Sequence, residues 1–338
     1  MGRIKRHPII SAFIGILLVL FICYIILVVF TPVSGIQTFG VTFSAFYAEK
    51  FGIDWKEAYI AILDDLGARH IRIPAYWNEI EPVIDSFTFE NLDWQIMEAK
   101  KREADIILVV GRKLPRWPEC HTPEWTEIIS KEEKDERLLR YITQTILRYR
   151  DSSTIIMWQI ENEPFLPFGE CYRPDEELLA KEIALVRALD DRPIIITASG
   201  ELESWLSAIK HADIFGSTMY RVVWLDTLER NFTYPLPPSF FRAKQTFARW
   251  FGRDIQMIVI ELQGESWHKK MTYELTVEEQ YASMNPERFR NTLKYASRTG
   301  FDTFYLWGVE WWYWLKKTQN MPEMWNIAKE AIQPAQKN

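Results

Sequence analysis

Cysteine is scarce, with three in 338 residues, at Cys23, Cys120 and Cys171. That excludes a disulfide-dense scaffold, and a chain of this length buries enough core to need few bridges. Histidine and cysteine nowhere cluster at metal-ligand spacing, so no structural or catalytic metal is expected. No Gly/Ser-rich linker, internal repeat or low-complexity tract divides the chain. Basic excess is missing too. The formal net charge is −6, and with Arg3, Lys5 and Arg6 confined to the extreme N-terminus the remainder carries about −9. A nucleic-acid partner favours a basic face, so this balance argues against one.

Charge is absent altogether from Pro8 to Phe30. Ile9 to Phe30 is 22 residues long, enough to cross a hydrocarbon core of about 30 Å at about 1.5 Å per residue. The basic residues before it favour a cytoplasmic N-terminus. The alternative is a cleaved signal peptide, whose apolar region usually runs only about 7–15 residues, with Val33-Ser34-Gly35 as a passable cleavage site. The expectation is therefore a single transmembrane anchor over residues 1–30. One catalytic domain over 31–338, 308 residues long, would lie outside the cytoplasm.

Strand-like runs alternate with helical patterns through that domain, as a parallel α/β fold requires. Eight strands are expected: 38–43, 70–74, 105–110, 154–160, 193–198, 214–219, 255–260 and 303–307. Eight is the number of a (β/α)8 TIM barrel, which typically takes about 250 residues. Two of the runs end abruptly in carboxylates. One reads Ile155-Ile156-Met157-Trp158-Gln159-Ile160-Glu161-Asn162-Glu163-Pro164, the other Ile255-Gln256-Met257-Ile258-Val259-Ile260-Glu261. Carboxylates at the ends of buried strands are costly to desolvate without a task or a partner, and two facing each other give the pair that glycoside cleavage needs.

With Asn162-Glu163-Pro164 after strand 4 and Glu261 ending strand 7, the chain resembles the retaining glycoside hydrolases of clan A, family 5 cellulases or close relatives. The resemblance implies Glu163 as acid/base and Glu261 as nucleophile. Arg72 resembles the clan arginine at the nucleophile, and Tyr220 the strand-6 tyrosine bonded to it. Asn162 resembles the asparagine at the sugar 2-hydroxyl, and Trp307 the strand-8 platform. Glu161, two residues before Glu163, is expected to anchor a neighbouring basic group. Two departures from the family pattern stand out. Arg112 and Lys113 follow strand 3 where a histidine is common, and Thr218-Met219 precede Tyr220.

Fifteen tryptophans are present. Core packing accounts for most. Trp77 and Trp117, with Trp158, Trp307 and the Trp311-Trp312-Tyr313-Trp314 run, lie beside strand ends where flat rings stack on sugars. Segment 221–238 is expected to overhang the mouth, with Pro235, Pro237 and Pro238 shaping a loop at its end. Cys120 and Cys171 fall in neighbouring rim loops, where an oxidising compartment would allow a disulfide and the alternative is two separate thiols. The expected activity is glycoside hydrolysis of an extracytoplasmic carbohydrate without a cofactor. A transglycosylase with the same residues and a non-catalytic glycan-binding barrel are the alternatives.

Overall fold

The structure, a computed structural model, describes residues 8–29, 35, 37–171 and 176–333, with side chains of the first helix from 12 to 26. Short runs rich in β-branched and aromatic residues form eight parallel strands. These are β1 Thr38–Thr42, β2 His70–Pro74, β3 Asp105–Val110, β4 Ile155–Ile160, β5 Ile194–Ala198, β6 Ile214–Met219, β7 Gln256–Gln263 and β8 Thr303–Trp307. Each pairs with its sequence neighbours, and β8 closes the barrel on β1, from Thr38 opposite Thr303 to Thr42 opposite Trp307. Helices fill the crossovers. Helix Trp55–Asp64 shows why: Asp54 caps it by accepting from the Lys56 and Glu57 amides, and Ala58, Tyr59, Ile62 and Leu63 are buried along it.

Alternation along the strands separates two cores. Side chains facing the helices form the outer core, for example Ile71, Ile73, Leu108, Trp158, Ile196 and Val259. Ile107, Ile195, Ile214, Ile258, Ile260 and Tyr305, with Met157, plug the barrel interior. Strand β7 breaks this rhythm. Ser217 of β6 pairs with Val259, but Thr218 pairs with Glu261, and on the other side Phe304 pairs with Val259 and Leu306 with Leu262. One extra residue is therefore inserted near Ile260, a β-bulge. Strict alternation would send Glu261 outward with Val259. The bulge lets Ile260 and Glu261 both face the interior, as their contacts below require.

Three expectations need correction. Pro8–Val29 is helical, yet among the described residues no helix is long and apolar enough to cross a membrane. The expected transmembrane helix is thus overturned. Instead the Tyr24 hydroxyl lies 2.6 Å from Ser239 Oγ, on the helix Pro238–Phe251. The basic flank at Arg3, Lys5 and Arg6 and the boundary at 30/31 lie outside the described residues. Second, β7 runs on to Gln263, so Glu261 sits within the strand rather than at its end. Third, segment 221–238 holds an antiparallel hairpin, Val222–Leu225 with Arg230–Thr233. Pro238 ends no loop: it opens a helix from its first turn, where proline's missing N–H and fixed φ cost nothing.

Candidate active site

Above the apolar plug lies a polar layer built on Arg72. Its side chain is 0 % exposed, and all of its charge is answered by neighbours in the barrel. Nε donates to Gln159 Oε1 at 2.9 Å, Nη1 to Glu261 Oε1 at 2.8 Å and Nη2 to Asn162 Oδ1 at 2.8 Å. The second Glu261 oxygen accepts from the Tyr220 hydroxyl at 2.9 Å. Glu261 is 3 % exposed. Each of its oxygens is thus held by one donor, and a fixed cation compensates its charge.

Glu163 is treated differently. It is 6 % exposed and takes a left-handed backbone, φ +45°. Its amide donates to Thr197 Oγ1 at 2.7 Å, and its carbonyl accepts from Lys113 Nζ at 2.9 Å. Those two bonds from β5 and the β3 loop hold the strained backbone in place. Among the described residues its carboxyl receives only the Thr218 hydroxyl, at 3.1 Å, on Oε1. Burial first, then the charge of Glu261, push Glu163 well above the usual carboxylate range.

The segment after β3, residues 111–121, folds into the mouth as a strap. Arg112, Lys113, Leu114, Arg116, Glu119 and His121 are all buried. Gly111 makes the start of it possible. Its φ is +133°, and a Cβ there would meet the Glu161 carboxyl at 2.8 Å. Glu161 accepts from the Arg112 and Lys113 amides at 3.0 and 2.7 Å, so it anchors backbone rather than the basic side chain expected of it. Tyr76 donates to the Pro115 carbonyl at 2.8 Å. At the far end Arg116 reaches across the mouth. Nη1 donates to Glu265 at 2.6 Å and Nη2 to Glu310, while the guanidinium lies 3.9 Å from the ring centres of both Tyr47 and Trp307. Glu119 sits 3.4 Å from Lys113, and burial above all pushes its carboxyl up to about 7. A Cys120–Cys171 disulfide, Cα–Cα 4.7 Å, ties the strap to the loop after β4.

The structure therefore gathers Arg72, Asn162, Glu163, Tyr220 and Glu261 into one hydrogen-bonded layer, with Trp307 at its edge under Arg116. Trp117, 41 % exposed, stands on the rim and begins a run of rings through Phe168 and Trp267 to Tyr220. Trp77 does not join them. It is fully buried, stacked on Tyr141, and its indole donates to Glu81. Trp158, Trp311 and Trp312 are likewise core. Thr197 and Arg116 were given no role from the sequence, and Lys113 and Thr218 were noted only as departures from the family pattern. Thr218 carried the one usable signal, an inward position next to Tyr220.

The family profile for cellulase (glycosyl hydrolase family 5) matches residues 31–235. Many solved structures share the fold, and three of them show its range. One is an endo-β-1,4-xylanase of family 10 from Gloeophyllum trabeum, with 16 % identity, 88 % of this chain and 96 % of the other covered, and a TM-score of 0.54. Another is an exo-β-1,4-mannosidase from Opitutaceae bacterium strain TAV5, at 14 %, 80 %, 51 % and 0.55. The third is a β-galactosidase from Marinomonas ef1, at 12 %, 80 %, 54 % and 0.51. This chain spans about half the length of the latter two. A search of curated proteins finds no match. The family match covers more than half of the chain, over the strands that carry Arg72, Asn162 and Glu163, and the chain belongs to glycosyl hydrolase family 5.

Proposed function

We propose that the protein hydrolyses a glycosidic bond with retention, Glu261 acting as nucleophile and Glu163 as acid and then base. The observation that carries this is the unequal treatment of two neighbouring carboxyls. One has both oxygens held by donors, Arg72 among them; the other is buried with a single hydroxyl donor and kept protonated by its surroundings. Environments that push two carboxyls apart mark acid and nucleophile.

In the first step Glu261 attacks the anomeric carbon as the glycosidic C–O bond breaks, and the Glu163 proton passes to the departing oxygen. In the second, Glu163, now ionised, takes a proton from water; the water oxygen bonds to the anomeric carbon and Glu261 leaves. Asn162, oriented by Arg72, would meet the sugar beside the reacting carbon. We place the barrel outside the cytoplasm, on the strength of the Cys120–Cys171 disulfide. The substrate is a carbohydrate, and none of the residues above asks for a cofactor.

The test uses aryl glycosides. Glu261→Ala should lose activity on every substrate. Glu163→Ala should fall by about 100- to 10,000-fold where the leaving group needs a proton, and far less in the first step with a good aryl leaving group. Azide should rescue Glu163→Ala and give a glycosyl azide of retained configuration by NMR. Rescue of Glu261→Ala instead, with inverted product, would reverse the two roles. Unchanged activity in both variants would remove the assignment.

A further inference from the structure

We infer that the enzyme is exo-acting: the strap over residues 111–121 walls off the glycone half of the mouth, leaving room for one terminal sugar. The inference rests on the roles proposed above for Glu163 and Glu261.

The order of strands around the barrel sets the geometry. Glu163 follows β4, and its partners Thr197 and Thr218 come from β5 and β6. The leaving group departs past the acid, so the aglycone lies over the β4–β6 half. Any further glycone unit extends toward the opposite half, the ends of β8, β1 and β2. That half is occupied. The strap is fastened there at Tyr76 after β2, at Tyr47 after β1, at Trp307 and Glu310 from β8, and at Glu265 after β7. The disulfide pins its other end. Glu310 is held in turn by the Ser44 amide at 2.7 Å. Moving Arg116 aside to admit a second sugar would strand two buried carboxylates, so the strap is a fixed wall and not a lid.

The wall carries ligand chemistry of its own. Among the described residues, Arg116 Nε is buried without a hydrogen-bond partner, and Glu119 Oε2 is met only by the Lys113 ammonium, 3.4 Å away. An orphaned buried donor or acceptor is costly, and sugar hydroxyls both donate and accept. A non-reducing terminal sugar offers hydroxyls where a longer chain would continue. Arg116 and Glu119 are thereby the residues that recognise the end of the chain.

The experiment compares 4-nitrophenyl monoglycosides of glucose, galactose, mannose and xylose, in both anomers, with the matching 4-nitrophenyl glycobiosides, using the full chain. Products are identified by mass spectrometry in the first few per cent of turnover. An exo enzyme releases nitrophenol from a monoglycoside at least about 100-fold faster than from the bioside. From the bioside it first yields monosaccharide and nitrophenyl monoglycoside. Arg116→Ala should raise direct nitrophenol release from the bioside about 10-fold relative to the monoglycoside. Should that variant not fold, the first product of the parent enzyme decides alone. Intact disaccharide with free nitrophenol as the first product overturns the exo assignment while leaving the carboxylate roles standing. Equal rates for the parent and Glu261→Ala would overturn those roles instead.

Discussion

Arg72 serves three acceptors from one planar guanidinium, and no other side chain has that fork. Arg72→Met would leave Glu261 as an uncompensated buried charge, and we expect a loss of about 3–5 kcal/mol in urea unfolding. Arg72→Lys keeps the charge but not the fork. It should unfold earlier than the parent and lose orientation at both Asn162 and Glu261, seen as a fall in kcat. The pH dependence belongs to Glu163. Its proton is held by burial and by the charges of Glu261 and Glu119, against Lys113. Activity should fall on the alkaline side as that proton is lost. Glu119→Gln removes a negative neighbour, so Glu163 gives up its proton more readily and the alkaline limb of kcat/KM should move to lower pH. A limb that stays where it was would mean that the charge of Glu119 does not reach Glu163. Arg72, Asn162 and Tyr220 were legible because a motif resemblance pointed at each. Thr197 and Thr218 were not, since threonine is an ordinary strand residue and only register shows what it touches. Arg116 was invisible for a different reason: its partners Glu265 and Glu310 lie 149 and 194 residues away in sequence.

At the scale of elements, the strands were readable to within a residue or two, because apolar runs bounded by turns and helices announce buried parallel strands. The exception was β7, where a bulge near Ile260 carries the strand past the predicted end. A bulge has no sequence signature of its own here. The start of helix Trp55–Asp64 rests on its cap: Asp54→Ala should cost about 1 kcal/mol by removing the acceptor for two amides. The strap was read only as a loop, since nothing in its composition tells whether it stands up from the rim or folds across it. Its disulfide closes a separation of 51 residues. Replacing Cys120 and Cys171 by serine should lower stability by about 2–4 kcal/mol. It should also blur discrimination between mono- and bioside if the wall loosens. Calorimetry measures the first effect and the glycoside panel the second.

Across the whole molecule, buried carboxyls set the response to pH. Burial raises Glu119 and Glu310 to about 7, and lifts Glu163 and Glu182 well above the usual carboxylate range. Unfolded, all four ionise in the ordinary range near 4.5. Between that range and their folded values the native state holds protons that the unfolded state has released, so stability falls as pH rises. His121, pushed down to about 4 by burial, works in the opposite sense, but only below about 6.5, where an unfolded histidine charges. From about pH 6.5 to 8 the carboxyls set the trend, opposed only toward the upper end by Lys244, which burial pushes down to about 8, and Tm should drop across that interval. A Tm that rises there would mean that these carboxyls ionise freely in the folded protein. The bulge in β7 has a reach of its own at this scale. It is a phase boundary in the chain: below it, even-numbered positions look into the barrel, and at Glu261 the count slips by one. A saturation scan of β7 should show polar residues rejected at every position from Met257 to Ile260 and again at Leu262, with the inward polar positions beginning at Glu261. Deleting Ile260 should remove the slip: Glu261 would then follow Val259 directly, strict alternation would keep it facing the interior, and the variant should still fold as a barrel with Glu261 within reach of Arg72.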